Sequence, residues 1–325
     1  MGDAAVVGIL EERKSGGPFT SIFDLTKRVN LRTVNKKSIE NLALAGAFDG
    51  FGKYTRAQFF TADPKDGMTV IDKCIKWGNS EQNNKSMNQN SLFGGSIHVD
   101  SSEPALAPVE EWPLLEKLKK EKDVVGIYIS GHPLDHYRLE IQTFTNCALK
   151  DIPDNKDKEL RIAGIVSTTQ TKTSKSGNQF SIFSLEDFEG TYEFALFGKD
   201  YIQFKNFIET QAALLYVTGR YQARFNQPDN YEFKISKIEL LPDIRAKLTK
   251  RLSLRIPAEA VTERITDELM VLFAKYPGKF PISVRLKSDE EQISLTLNSR
   301  KVNVDLSNEM LDELRTFEEL EFALN

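Results

Sequence analysis

Between residues 158 and 241 the apolar residues alternate with a period of two, and this constrains the fold more than any other feature of the chain. Leu160, Ile162 and Val166, then Phe180 and Ile182, then Tyr192, Phe194 and Leu196, then Leu215 and Val217, then Tyr231, Phe233 and Ile235 mark five strands. One helical run, Lys199 to Thr210, carries Tyr201, Ile202, Phe204, Phe207 and Ile208 and falls between the third and fourth strands. Five short strands with a single helix in that place predict an OB-fold β-barrel over residues 158–243. Another small β-barrel or meander is the competing arrangement.

On either side the period returns to that of helices. Residues 3–14 place Ala4, Ala5, Val6, Ile9 and Leu10 at helical spacing, and Gly16-Gly17-Pro18 stops the run. Ser21 to Val29 is a second short helix, and Asn35 caps a third that carries Ile39, Leu42, Ala43 and Leu44 and ends at Gly46. From residue 61 to 110 the pattern decays into Gly, Asn, Ser, Gln and Asp, read as a polar linker. A helical connector follows over 111–157, with Glu111 to Ser130 periodic through Leu114, Leu115, Leu118 and Val125. Residues 244–325 mix both periods: strands at Leu252–Ile256, Ile282–Leu286, Ile293–Leu297 and Val302–Val304, with helices at Glu263–Tyr276 and Asn308–Thr316. The expectation is a multidomain α+β chain: a helical region over 1–60, the barrel, and a small C-terminal α/β domain. At 325 residues and 40% hydrophobic, several small cores fit better than one large one.

Charge narrows the function. The net charge of −4 rules out a basic nucleic-acid sponge, so any polyanion site must be local. Residues 1–60 are the only net basic segment, at +3; residues 61–157 carry −5, 158–241 balance, and 242–325 carry −2. Cys74 and Cys147 make neither a disulfide framework nor a four-ligand zinc site, which fits a reducing cytoplasm. No stretch approaches the roughly 18 apolar residues of a membrane span and the N-terminus lacks a signal sequence, so a cytoplasmic chain with no membrane partner is expected. His132 and His136 are four apart, but Pro133 breaks the helix that such a ligand pair needs, and His132 reads as part of a structural corner. No phosphate-loop, nucleophile-elbow or dinucleotide-binding glycine pattern is present.

Two stretches have binding chemistry. Residues 168–179 join the first two strands and are hydroxyl-rich and free of acids, with Lys172 and Lys175 inside and Arg161 nearby. Such a segment suits a phosphate backbone. Phe180, Phe183, Tyr192, Phe194, Arg224 and Phe225 are candidates to stack on bases or hold charge beside it. Strand alternation turns about half of such residues inward, so Phe180, Ile182, Tyr192 and Phe194 are as much candidates for the core as for a platform. In the polar stretch, Gln89-Asn90-Ser91-Leu92-Phe93 places an apolar pair with no periodic neighbour to join, inviting a partner's pocket.

Several stretches together resemble one family. Gly17-Pro18-Phe19, Phe23-Asp24-Leu25, Asn35-Lys36-Lys37 and Ala45-Gly46-Ala47-Phe48-Asp49 are similar to the helix-hairpin-helix region of the bacterial replicative DNA polymerase III alpha subunits. Glu116-Lys117-Leu118, Glu121-Lys122 and Gly126-Ile127-Tyr128-Ile129-Ser130-Gly131-His132-Pro133-Leu134 resemble a motif block of the same family. The resemblance implies the C-terminal region of such a protein. In it, Gly2, Lys36 and Lys37 would contact the duplex backbone, and Gln89, Ser91, Leu92 and Phe93 would plug into the beta sliding clamp. The barrel would handle single-stranded template beside the primer-template. Residues 250–325, with Leu311, Leu314, Phe317 and Phe322, would meet the clamp-loader tau subunit. The family's catalytic aspartates are not in this sequence, so no active centre and no cofactor are expected here; the parent polymerase would use magnesium for nucleotidyl transfer. The alternative is a replisome interaction scaffold whose barrel no longer binds nucleic acid. A synthetase or nuclease fragment would need catalytic motifs that are absent.

Overall fold

Side-chain caps set the helices of the first part of the chain. Ser21 accepts from the Asp24 amide, Asn35 from that of Ser38 and Thr55 from that of Gln58, starting α2 (Ile22–Arg28), α3 (Lys36–Leu44) and α4 (Arg56–Phe60) after α1 (Asp3–Gly16). Arg28 closes the end of α1, donating to the Glu12 carbonyl at 3.0 Å and the Gly17 carbonyl at 2.9 Å. The computed structural model describes residues 2–90, 106–210, 212–224, 227–288 and 292–325, without the side chains of 85–90. They divide into two compact units, Met1–Pro133 and Leu134–Asn325.

In the first unit the polar stretch assigned to a linker contains a helix, α5 (Val70–Asn90). Val70, Ile71 and Cys74 join Ile22, Phe23, Leu25, Ile39 and Phe59 in one core. Gly78 makes the packing of α5 on α2 possible, since a Cβ there would lie 2.5 Å from the Thr26 carbonyl oxygen. One turn on, the Gln82 amide donates to the Thr26 and Val29 carbonyls, both at 2.9 Å. The following helix, α6 (Leu114–Val125), is shorter than its periodicity implies, because Gly126 takes φ +90° and ends it.

The second unit opens with α7 (Arg138–Phe144) and then carries the five predicted strands: β1 (Glu159–Thr173), β2 (Gln179–Glu186), β3 (Thr191–Leu196), β4 (Leu214–Arg224) and β5 (Gln227–Leu240). The helix α8 (Gly198–Ile208) lies between β3 and β4. The sheet order is β3-β2-β1-β4-β5, all neighbours antiparallel. β1 serves both flanks: residues 159–165 pair with β4, and most of β1's pairing with β2 lies beyond a bulge between Val166 and Thr168. The stretch expected as a long loop is therefore mostly strand, with only residues 174–178 in the turn.

After α9 (Leu241–Leu248) comes a second sheet. Its strands are β6 (Leu252–Pro257), β7 (Pro277–Ser288), β8 (Ile293–Val304) and β9 (Glu321–Leu324), in the order β8-β7-β6-β9. Helices α10 (Glu263–Lys275) and α11 (Asn308–Leu314) supply Ile265, Leu269, Leu272, Met310, Leu311 and Leu314 to its core. Pro277 and Gly278 open β7, and a Cβ on Gly278 would meet the Asp305 amide at 2.2 Å. The two strands expected at 293–297 and 302–304 are one, and β9 is too short to leave a periodic mark in the sequence. The two sheets are not separately enclosed. Ala163, Ile165, Leu214 and Tyr216 on the first sheet share a core cluster with Leu252, Leu254, Phe273 and Leu324 of the C-terminal part.

Candidate nucleic-acid interface

Strand register sorts the aromatic candidates. On β2, Phe183 and Leu185 oppose Phe194 and Tyr192 of β3, and this face turns into the core. Phe183 is fully buried and Phe194 nearly so, their rings stacked at 5.2 Å, which removes both from the stacking surface expected of them. The cause is parity: residues at i and i+2 share a face, and the odd positions of β2 are the inward ones. Tyr192 is half-buried against the Phe194 and Phe233 rings, and burial raises its phenol pKa.

The even positions of β2 face outward. Phe180 lies opposite Lys172, Ile182 opposite Gln170 and Ser184 opposite Thr168, which gathers a cation, an aromatic ring, an amide and hydroxyls on one face. Thr169 and Thr171 point the other way, the first donating to the Ile208 carbonyl at 2.8 Å and the second hydrogen-bonded to Ser181 at 2.7 Å. The outward face continues through Phe197, whose ring stacks on that of Phe180 at 5.1 Å and 23° while remaining 52% exposed. Phe197 is also the N-cap residue of α8, so the positive end of that helix lies beside the ring pair. Sequence reasoning passes over Phe197 because it follows β3 after the alternation has stopped. Its position immediately before Gly198 and a helix is the available signal.

The remaining candidates are dispersed. Lys175 is exposed in the 174–178 turn and Arg161 is exposed on β1. The Arg224 side chain is engaged with Glu232 at 3.0 Å, and Phe225 lies outside the described residues. In the first unit, Gly2 is an exposed, extended N-cap of α1. Lys36 and Lys37 open α3 after the 29–35 hairpin, but the Lys36 ammonium is bound to Asp72 at 2.6 Å, a hydrogen bond that raises its pKa. Lys37 remains 74% exposed. Gln89 falls in the last turn of α5, with its side chain undescribed, and Ser91, Leu92 and Phe93 lie outside the described residues. The ring of His132 meets Tyr128 edge-on at 5.0 Å. Among the described residues no group of three or more His, Cys, Asp or Glu side chains could hold a metal ion, and no helix is long and apolar enough to cross a membrane.

The block around Gly126–Leu134 has a structural role that its sequence does not disclose. Arg56 is 2% exposed and donates to Asp49 at 2.7 and 3.0 Å, to Glu121 at 2.8 Å, to Ser130 Oγ at 2.7 Å and to the Leu44 carbonyl at 3.2 Å. Glu121 is fully buried and also accepts from the Ser130 amide and hydroxyl and from the Ile129 amide. Burial alone would raise its carboxyl pKa, but the hydrogen bonds from Ser130, Arg56 and Ile129 outweigh it and hold the group at about 2. Gly46 makes room for this node, since a Cβ there would meet the Arg56 guanidinium at 2.1 Å.

Three family models match along the chain: a helix-hairpin-helix motif over residues 1–59, an OB-fold nucleic acid binding domain over 160–241, and, over 252–325, the C-terminal domain of the DNA polymerase III alpha subunit. DNA polymerase III subunit alpha of Vibrio cholerae is 29% identical over 97% of this chain, which corresponds to 26% of that protein. The same protein from Borreliella burgdorferi is 29% identical over 73% of this chain and 20% of its own length, and that of Escherichia coli (strain K12) is 23% identical over 97% and 26%. The chain thus spans about a quarter of the length of these relatives.

Proposed function

From the premise that this chain is a relative of the DNA polymerase III alpha subunits and carries that family's C-terminal domain, we propose that it is a DNA-handling region of a replicative polymerase. Its barrel would hold single-stranded template. The observation that supports this most directly is the outward grouping of Lys172, Phe180 and Phe197 on the β1–β2–β3 face. The lysine neutralises a phosphate, the paired rings offer a stacking platform, and Gln170 and Thr168 extend the polar track along β1. The helix-hairpin-helix region would contact duplex backbone at the hairpin, with Lys37, 74% exposed and only loosely paired with Glu40 at 3.7 Å, better placed than Lys36, which Asp72 holds at 2.6 Å.

In the whole polymerase, nucleotidyl transfer with magnesium would be carried out by residues outside this sequence. Gln89, Ser91, Leu92 and Phe93 would tether the chain to the sliding clamp, and residues 250–325 would meet the clamp loader. Both assignments rest on the family resemblance.

The test is fluorescence anisotropy of a labelled oligothymidylate with the full chain and with Lys172→Gln/Phe180→Ala. The variant is expected to bind roughly tenfold or more weakly, since one stacked base contributes about 1–3 kcal/mol. Equal binding by both would move the contact elsewhere. No binding by the parent chain at low salt would favour the scaffold reading, for which the balanced charge of 158–241 and the burial of Phe183 and Phe194 speak.

A further inference from the structure

One face of the C-terminal sheet is buried at β6 and the start of β7, while Ile293, Leu295 and Leu297 of β8 stay about half exposed on that side. The other face is polar and largely exposed apart from Ser283, at 7%. Leu252, Leu254 and Ile256 of β6, and Phe280 and Ile282 of β7, lie on the buried side. The alternate residues form the other face: Ser253 and Arg255 on β6, and Ser283, Arg285 and Lys287 on β7. β8 adds Ser294, Thr296 and Asn298, and β9 adds Glu321. β6 and β7 run parallel in a register that sets Ser253 beside Ser283 and Arg255 beside Arg285.

Two guanidinium groups on neighbouring strands repel each other, and like charges set side by side in a sheet are destabilising unless something offsets them. Glu321 reaches Arg255 at 3.3 Å in an exposed pair, whereas Arg285 makes no ion pair among the described residues. Arg255, Arg285, Lys287 and Ser294 line a hollow of about 620 Å³. Glu318, Glu319 and Glu321 line it as well, with Glu319 engaged by Arg264 at 2.6 Å and Glu321 by Arg255.

We propose that this polar face, centred on Arg255 and Arg285, docks the phosphodiester backbone of a nucleic-acid strand, separately from the β1–β2–β3 face. Its chemistry is that of backbone contacts: paired forks that grip phosphate oxygens, with serine, threonine and asparagine groups on both flanks. An acidic polypeptide would need apolar anchors to bind with any strength, and the polar face has no aromatic or large aliphatic residue on β6, β7 or β8. The proposal goes beyond the reading of the barrel and does not depend on it.

The test measures oligothymidylate binding by the full chain across a salt series, for the parent, for Arg255→Gln/Arg285→Gln and for Lys172→Gln/Phe180→Ala. Arg255 is 59% exposed, so the arginine variant is expected to keep the parent's circular dichroism and melting temperature. It should bind roughly tenfold more weakly, with the slope of log K against log salt flattened by about 1.4, the value for two single-strand phosphate contacts. Inorganic tripolyphosphate should compete with the parent and lose that effect in the arginine variant, while polyglutamate of matched charge should compete poorly. An arginine variant with the parent's affinity and slope overturns the proposal, as does no binding by the parent, or displacement by polyglutamate as effective as by tripolyphosphate. A loss confined to the Lys172/Phe180 variant sinks this proposal and leaves the barrel reading standing; a loss confined to the arginine variant does the reverse.

Discussion

Glu121 shows what one buried carboxylate commits a unit to. Replacing it with glutamine keeps the shape but leaves the Arg56 guanidinium buried with Asp49 as its only carboxylate, and breaking a buried pair in this way costs about 3–5 kcal/mol. Trp77 and Trp112 both belong to the first unit and are the chain's two tryptophans, so their fluorescence during urea denaturation of the full chain reports on that unit alone. Glu121→Gln is expected to lower that transition's midpoint sharply and leave the second unit's far-ultraviolet transition in place. The folded pKa of about 2 lies below the ordinary 4.5, so the stabilisation is complete above about 4.5 and is lost as pH falls from there toward 2. That loss amounts to about 3 kcal/mol. The parent's midpoint should therefore drop more steeply than the variant's over this window. From sequence, Glu121 and Ser130 stand out only through a family likeness, because neither periodicity nor composition reveals that Arg56, far back in the chain, shares their site.

At the level of elements, the strands and helices of the second unit are legible because period-two and period-3.6 patterns leave different marks. Which face of β2 carries the rings is not: alternation is the same whether the odd or even residues point inward, and the bulge between Val166 and Thr168 shifts the phase of β1 midway. The helix α5 is hidden for a related reason. Its apolar side is Val70, Ile71 and Cys74 with Ile75 and Trp77 beside them, confined to one end, and the rest is held on α2 by Gly78, Gln82 and the Glu81–Lys27 pair rather than by a continued apolar stripe. A helical glycine ordinarily gains about 1 kcal/mol on conversion to alanine. Here Gly78→Ala should instead destabilise the first unit by about 1–3 kcal/mol, because the methyl group would press on the Thr26 carbonyl. A tryptophan-monitored melt that shows a gain in stability would refute the close packing of α5 on α2.

Across the whole molecule, the barrel and the C-terminal part read in the sequence as successive domains, yet Ala163, Ile165, Leu214 and Tyr216 pack into the core that Leu252, Leu254 and Leu324 complete. A fragment of residues 134–325 should therefore unfold in one cooperative transition, followed by circular dichroism in urea. A fragment of residues 158–243 should expose that shared surface and aggregate or melt at a much lower midpoint; an equally stable barrel alone would contradict the shared core. The first unit is stitched in another way. Thr55 donates to the Val109 carbonyl at 3.0 Å, Gln58 to that of Ala107 at 2.6 Å, and Glu111 accepts from the amides of Arg56 and Ala57, both at 3.0 Å. Residues that come before 91–105 are thus fastened to residues that come after by four hydrogen bonds within one unit. Cutting the chain between Asn90 and Leu106 would leave two pieces still held to each other by these bonds.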